Sequence, residues 1–232
     1  KLPKVSLLNF NEATSELYIG DNNNLYALKN TGEISNSWLL NSPASHIEFN
    51  DNSDPLLLTI GQFRPSDQEL GRLANLKTRE NRESAIVDVT KLRRPVYFAS
   101  GDLNGDNIVD AVVCSFGNYG GKLSWFDNFE PSKEHVLSNL PGARMVAIKD
   151  LNGDKKPDIV ALMAQAFEQI SIFYNKGEGE FEQVKVLEFS PVHGVSYFEL
   201  VDFNNDGFQD ILLANGDNWD YSNVDKPYQG LR

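Results

Sequence analysis

The sequence predicts an all-β fold: a β-propeller of four-stranded antiparallel blades, with about four and a half blades in 232 residues. Three observations predict it. An acidic motif recurs three times without gaps, as "DLNGDNIVDAVV" from Asp102, "DLNGDKKPDIVA" from Asp150 and "DFNNDGFQDILL" from Asp202. The runs around each copy have strand length and strand composition, with no helical stretch between them. The spacing, 48 residues from Asp102 to Asp150 and 52 from Asp150 to Asp202, is that of a four-stranded blade.

Each element follows from this beat. Every acidic motif lies between a first strand ("VYFASG", "RMVAIK", "YFELV") and a second ("DAVVCSF", "DIVALMA", "DILLAN"). In the two complete units a third strand follows ("GKLSWFDN", "QISIFYNK"), then a fourth ("EHVLSNL", "EQVKVLEF"). The N-terminal part repeats the rhythm without the acidic motif. Its quartets are "VSLLNF", "ELYIGD", "NLYALKN", "SNSWLL", and then "SHIEFN", "PLLLTIG", "GRLANLK", "SAIVDV" over 84–89. Pro43, Pro95, Pro141 and Pro191 stand at the start of successive units, where a residue without an N–H is tolerated.

One local signal disagrees. "SDQE" (Ser66 to Glu69) has the form of a helix capping box. "GRLANL" nevertheless superposes on "GKLSWF" one unit later, so a strand is expected there. The chain then reads as a single propeller domain, 1–232, with blades at 1–42, 43–94, 95–140, 141–190 and 191–232. The last is incomplete, with two strands before the chain stops in mid-blade, so a larger propeller is expected. The chain begins at Lys1, so a processed or cut chain is also expected.

Composition narrows the partners. A net charge of −12 argues against nucleic acid, which needs a basic surface. No apolar run reaches the length of a membrane span, so no direct membrane insertion is expected. The single cysteine, Cys114, excludes an internal disulfide and any zinc site built on cysteines, and reads as a buried, inert thiol.

The acidic loops read as metal sites. Counted from the first Asp, positions 1, 3, 5 and 9 are Asp102, Asn104, Asp106 and Asp110 in the first loop. They are Asp150, Asn152, Asp154 and Asp158 in the second, and Asp202, Asn204, Asp206 and Asp210 in the third. Position 7 (Ile108, Lys156, Phe208) varies in type, as expected of a residue that serves through its backbone carbonyl. Hard oxygen donors in this number suit Ca2+. Three Ca2+ ions would add +6 and move the net charge from −12 to −6. An EF-hand needs a Glu at position 12 and flanking helices, whereas Val113, Ala161 and Leu213 stand there. The alternative is a metal-free Asx-rich turn, which three in-phase copies disfavour. Position 6 needs a sharp turn, for which Asn107 and Gly207 suit better than Lys155, so the Asp150 loop is expected to be the weakest site. The corresponding turns "NFNEATSEL" and "EFNDNSDP" lack the ligand set and are expected to be metal-free.

The D-x-N-x-D-x-x-x-D loop followed by a strand and by "FGNYGG" resembles the FG-GAP/VCBS repeat family, the broad group that includes the calcium-binding propellers of integrin α-subunits. The resemblance covers residues 95 to about 220 and, with "GKLSWFDN", "ALMAQ", "SYFELVDFN" and "NGDNWDYS", extends to secreted bacterial VCBS-type proteins. It implies a seven-bladed propeller, a secreted, periplasmic or cell-surface location, and calcium between the first and second strands.

Strand direction then puts any partner on the opposite face, with "FRPSDQEL", "FGNYG", "AQAFEQ" and "GDNWDYSN". His46, Arg94, Tyr97, Tyr119, Arg144, His193, Tyr197 and Trp219 are the candidate ligand residues, with Arg93 beside them. The expected function is non-catalytic recognition or adhesion outside the cell, toward a protein or glycan ligand. Two alternatives are a polysaccharide lyase or hydrolase on a calcium propeller, and a purely structural domain of a larger secreted protein. No catalytic motif occurs, His46, His135 and His193 show no triad spacing, and Asp67, Glu69 and Glu168 would pair as acid and base only by accident of folding.

Overall fold

A computed structural model of the chain describes residues 5–50, 54–77, 87–165, 168–216 and 230–231. The first sheet contains β1 (Leu7–Asn11), β2 (Glu16–Gly20), β3 (Asn24–Lys29) and β4 (Ile34–Leu39) in chain order. The second contains β5 (Ala44–Glu48), β6 (Leu56–Thr59), β7 (Gly71–Asn75) and β8 (Asp88–Leu92). The third contains β9 (Pro95–Gly101), β10 (Asp110–Ser115), β11 (Lys122–Phe126) and β12 (Glu134–Ser138). The fourth contains β13 (Ala143–Lys149), β14 (Asp158–Met163), β15 (Glu168–Gly177) and β16 (Glu180–Phe189). A fifth sheet holds β17 (Val195–Val201), β18 (Asp210–Asn215) and the short β19 (Gly230–Leu231). All neighbouring strands are antiparallel, and β5 touches β1 and β9 just as β13 touches β9 and β17. The first strand of each sheet therefore lies innermost.

The core lies in the seams between sheets. Along β10, Val112 and Cys114 face the fourth sheet while Ala111 and Val113 face the second. Along β14 the same alternation sends Ile159, Ala161 and Met163 one way and Val160 and Leu162 the other. Both strands are buried at every position, because each central blade is covered on both faces. The fourth strands lie outermost, and β16 is exposed along most of its length. Cys114 is buried as expected, and burial raises its thiol pKa, so it remains uncharged.

The expected "SDQE" strand neighbourhood resolves as predicted. Ser66 Oγ accepts only a local bond from the Gln68 N–H (3.0 Å), and the chain enters β7 rather than a helix. Gly71 opens that strand because a Cβ there would stand 2.2 Å from Pro95 Cδ of the next blade. The basic residue after each such glycine pairs with the fourth strand, Arg72 with Asp88 (2.6 Å) and Lys122 with Glu134 (2.5 Å).

Two boundaries differ from the sequence reading. The fourth strand of the second blade, expected over 84–89, is β8, and of the expected stretch 84–86 lies outside the described residues. Burial of Val89 and Leu92, with the Arg72–Asp88 pair, fixes the later register. The fifth blade gains a third strand, since β19 pairs Gly230 with Asn215 and Leu231 with Ala214.

Candidate functional site

The three acidic loops join the first and second strands of the third, fourth and fifth blades, as expected. Their hydrogen bonds follow one scheme in the first two loops and a variant of it in the third. Asp102 accepts from the N–H groups of Gly105 (Oδ1, 2.7 Å) and Asn107 (Oδ2, 2.9 Å). Asn104 Oδ1 accepts from Asp106 N, and Asp106 Oδ1 from Ile108 N. The second loop repeats this with Asp150 on Gly153 and Lys155, Asn152 on Asp154, and Asp154 on Lys156. In the third, Asp202 accepts from Asp206 and Gly207, Asn204 from Asp206, and Asp206 from Phe208. The turn at position 6 is left-handed in all three, at Asn107 (φ 66°), Lys155 (φ 68°) and Gly207 (φ 89°). Position 4 is left-handed too, at Gly105, Gly153 and Asn205, a second requirement the residue count alone did not reveal.

Position 9 does a different job. Asp110 opens β10 at 0% exposure; its Oδ2 accepts from Leu103 N (2.8 Å) and its Oδ1 from Asn128 N (2.8 Å). Asp158 does the same with Leu151 N and Asn175 N. Asp210 keeps the first of these bonds, from Phe203 N. This carboxylate ties the loop to the end of the third strand. Burial, followed by the nearby charges of Asp127 and Asp106, pushes the Asp110 pKa up despite those bonds.

Whether the loops suit a cation turns on the remaining oxygen valences. Among the described residues no three His, Cys, Asp or Glu side chains are gathered closely enough to hold an ion, because the carboxylates are turned onto their own loop amides. An ionised carboxylate has about four lone-pair sites, so one amide per oxygen leaves room for a metal. Among the described residues no Lys or Arg forms an ion pair with any of the nine loop aspartates. The donors are hard oxygens and suit Ca2+ in type.

On the opposite face the "FGNYGG" loop is clamped by its neighbours. Asp67 accepts from the successive N–H groups of Asn118 (2.8 Å), Tyr119 (3.1 Å) and Gly120 (2.9 Å). Burial works to raise the Asp67 pKa, but those three N–H groups and the Arg93 charge outweigh it and lower it. Arg93 also pairs with Glu69 (3.0 Å), and Gln165 Nε2 donates to Asn118 O (2.9 Å) from the fourth blade. Glu168 is 1% exposed and accepts from Val195 N. Of the three carboxylates considered for acid–base work, Asp67 and Glu69 thus share Arg93, while Glu168 is engaged by Val195.

Four of the candidate ligand residues, His46, Tyr97, Arg144 and Tyr197, lie on the innermost strands β5, β9, β13 and β17. His46 on β5 stacks on Tyr97 of β9 with ring centroids 3.9 Å apart. Arg94 lies 5.0 Å over the Phe116 ring and donates to Gly117 O. His193 Nδ1 lies 3.0 Å from Ser190 O, Arg144 sits on β13, Tyr197 on β17 is half exposed and Tyr119 is 87% exposed. Trp219 lies outside the described residues.

Sequence reasoning missed a cavity of about 730 Å3 between the first two blades, on the side of the first-to-second-strand turns. Its lining includes Asn9, Phe10, Glu16, Trp38, Glu48 and Phe49, and it reaches His46 and Tyr97. Burial pushes the Glu48 pKa up to about 7 and the His46 pKa down to about 4. The signal in the sequence is one residue. In register terms Tyr18 opposite Ala27 corresponds to Val112 opposite Trp125, so Ala27 occupies the place that an indole fills in the third blade.

The sequence model of the FG-GAP-like repeat matches residues 102–161 and again 150–213, covering each acidic loop and the strand after it. The chain carries FG-GAP-like repeats. No curated protein matches the sequence. Among solved structures, the Dos1 propeller is similar at 10% identity and a TM-score of 0.57, over 91% of this chain and 52% of that one. The Neurospora crassa Pan2 WD40 domain is similar at 12% identity and a TM-score of 0.48, over 91% of this chain and 62% of that one. This chain thus spans about half the length of the Dos1 propeller. The FG-GAP-like matches and the propeller likeness agree on the fold, a β-propeller of antiparallel blades. No helix among the described residues is long and apolar enough to cross a membrane.

Proposed function

We propose that the chain is a calcium-stabilised propeller that recognises a protein or glycan outside the cell, with Ca2+ held structurally in the three acidic loops. The observation that carries the metal reading is the shared loop scheme. Two loops place the same oxygen-bearing residues on the same backbone amides, the third differs in that Asp202 Oδ1 takes the amide of position 5 instead of position 4, and the nine aspartates have no Lys or Arg ion-pair partner among the described residues. Three aspartates within one nine-residue loop repel one another, and a cation offsets that repulsion. Asp102, Asn104, Asp106 and Asp110, with the Ile108 carbonyl, would hold the first ion; Asp150, Asn152, Asp154, Asp158 and Lys156 the second; Asp202, Asn204, Asp206, Asp210 and Phe208 the third. Bound there, Ca2+ neutralises each loop and pins it between two strands.

The role is non-catalytic in this reading. Asp67, Glu69 and Glu168 are each committed to backbone N–H groups or to Arg93, which leaves them as structural bonds.

The test is thermal unfolding with calcium and with chelator. Calcium should raise Tm, calorimetric titration should give about three ions per chain, and Asp102→Ala or Asp202→Ala should each remove one. An unchanged melt in chelator overturns the metal reading.

A further inference from the structure

We propose that the cleft between the first two blades binds a neutral carbohydrate. The inference rests on the recognition reading above and assigns its ligand class.

Three features of the lining point to that chemistry. The first is the ring surface: Phe10 is 51% exposed, while Trp38 and Phe49 are half-buried at the same cavity. Trp38 is held in place by its indole N–H, which donates to Lys77 O (2.9 Å), and by stacking against Tyr18 at 6.0 Å. Aromatic rings at a wet cavity offer a flat apolar face to the C–H side of a sugar.

The second is the set of open valences. Glu16 Oε1 accepts from Ser35 Oγ (2.5 Å) and Glu48 Oε2 from Ser100 Oγ (2.6 Å). Asn36 Oδ1 accepts from Ser37 N (2.8 Å). Among the described residues, Glu16 Oε2, Glu48 Oε1 and Asn36 Nδ2 have no protein hydrogen bond. Two acceptors and a donor are therefore left for a ligand. Two hydroxyl groups donate to the two acceptors and one of them accepts from the amide, whereas an ammonium has no lone pair to offer Asn36 Nδ2.

The third is charge. No Lys or Arg lines the cavity, while Glu12, Glu16 and Glu48 do. A phosphate or a uronate would find carboxylates and no cationic side chain there. The volume, about 730 Å3, is that of a small-ligand site and holds a disaccharide.

The space exists because of particular residues. The equivalent seam between the third and fourth blades is filled by Leu103 and Trp125, with Phe181 against the indole at 6.3 Å. Between the first two blades Ala27 stands in the place of Trp125, and the β1–β2 turn contains the exposed residues Glu12, Ala13 and Thr14.

The experiment is titration of calcium-loaded protein with cellobiose, maltose and lactose, followed by calorimetry and by saturation-transfer NMR. Glucosamine and galacturonic acid serve as the cationic and anionic comparisons. At least one neutral disaccharide should bind. Asn36→Ala should weaken it at least tenfold, and Ser35→Trp, at an exposed position in the lining, should abolish it, both with unchanged Tm. Absence of binding by all three neutral sugars at 20 mM overturns the inference, as does preference for either charged sugar or binding that both variants leave intact. Calcium-dependent melting tests the scaffold, so failure of the sugar titration alone leaves that reading standing.

Discussion

Asn175 Nδ2 donates to the backbone carbonyl of Leu103 at 2.8 Å, joining the third strand of one blade to the acidic loop of the blade before it. The same amide reaches Pro157 O (3.1 Å), and Asn175 Oδ1 accepts from Gly177 N (2.8 Å). The side chain is 2% exposed, so its loss leaves several buried groups without partners. Asn175→Ala should destabilise the protein by about 2–3 kcal/mol, from one to two unsatisfied buried groups. Chemical denaturation checks this, and a change under 0.5 kcal/mol, roughly the size of a surface substitution, would remove the inter-blade tie from the account.

Lys155 adopts a left-handed backbone (φ 68°) where the third loop has Gly207. A side chain there costs roughly 1–2 kcal/mol, partly offset in glycine by its greater freedom when unfolded. Lys155→Gly should therefore stabilise the chain by up to about 1 kcal/mol and tighten calcium at the second loop. Calorimetric titration of the variant checks this: calcium affinity at the second loop, proposed as the weakest site, should rise.

Asp67 closes the "FGNYGG" loop from the neighbouring blade through three backbone N–H groups. Asp67→Ala should cost about 1–2 kcal/mol, since the released N–H groups lie partly within reach of water. Hydrogen exchange should accelerate at residues 118–120 and leave 103–107 unaffected. Uniform acceleration would mean that the bond is not local in its effect.

Glu48 and His46 should give opposite pH dependences. The Glu48 pKa is raised from 4.5 to about 7 by burial. The folded state then holds its proton more tightly, so its contribution is present below 4.5 and lost as pH rises through 7. The His46 pKa is lowered from 6.5 to about 4, again by burial. The unfolded state takes that proton first, so stability is present above 6.5 and lost as pH falls through 4. Each shift is worth about 3 kcal/mol at 1.36 kcal/mol per unit. The two slopes nearly cancel between pH 4.5 and 6.5 in the native protein. Glu48→Gln should unmask a rise in stability from pH 4 to 6.5, and His46→Asn a fall from 4.5 to 7. Parallel profiles in the two variants would contradict this pairing.

The sequence by itself determined the blades and the acidic loops. Strand-length apolar runs and an in-phase motif are local signals, and each strand pairs with its neighbour in the chain, so "GKLSWF" identified β11 and, through it, β7. The left-handed turns at Asn107 and Gly207 were legible for the same reason. What the tertiary structure alone decided lies between blades. That Asp110 and Asp158 serve as buried struts depends on Asn128 and Asn175, 18 and 17 residues away. The tie from Asn175 to Leu103 spans 72 residues, and Asp67 meets Asn118 across 51. The cleft at Trp38 and Glu48 is the clearest case: the one small residue that opens it, Ala27, gains its meaning only opposite a second sheet. Packing between sheets sums many weak contacts across the seam, and no local pattern in the chain encodes which of them will be absent.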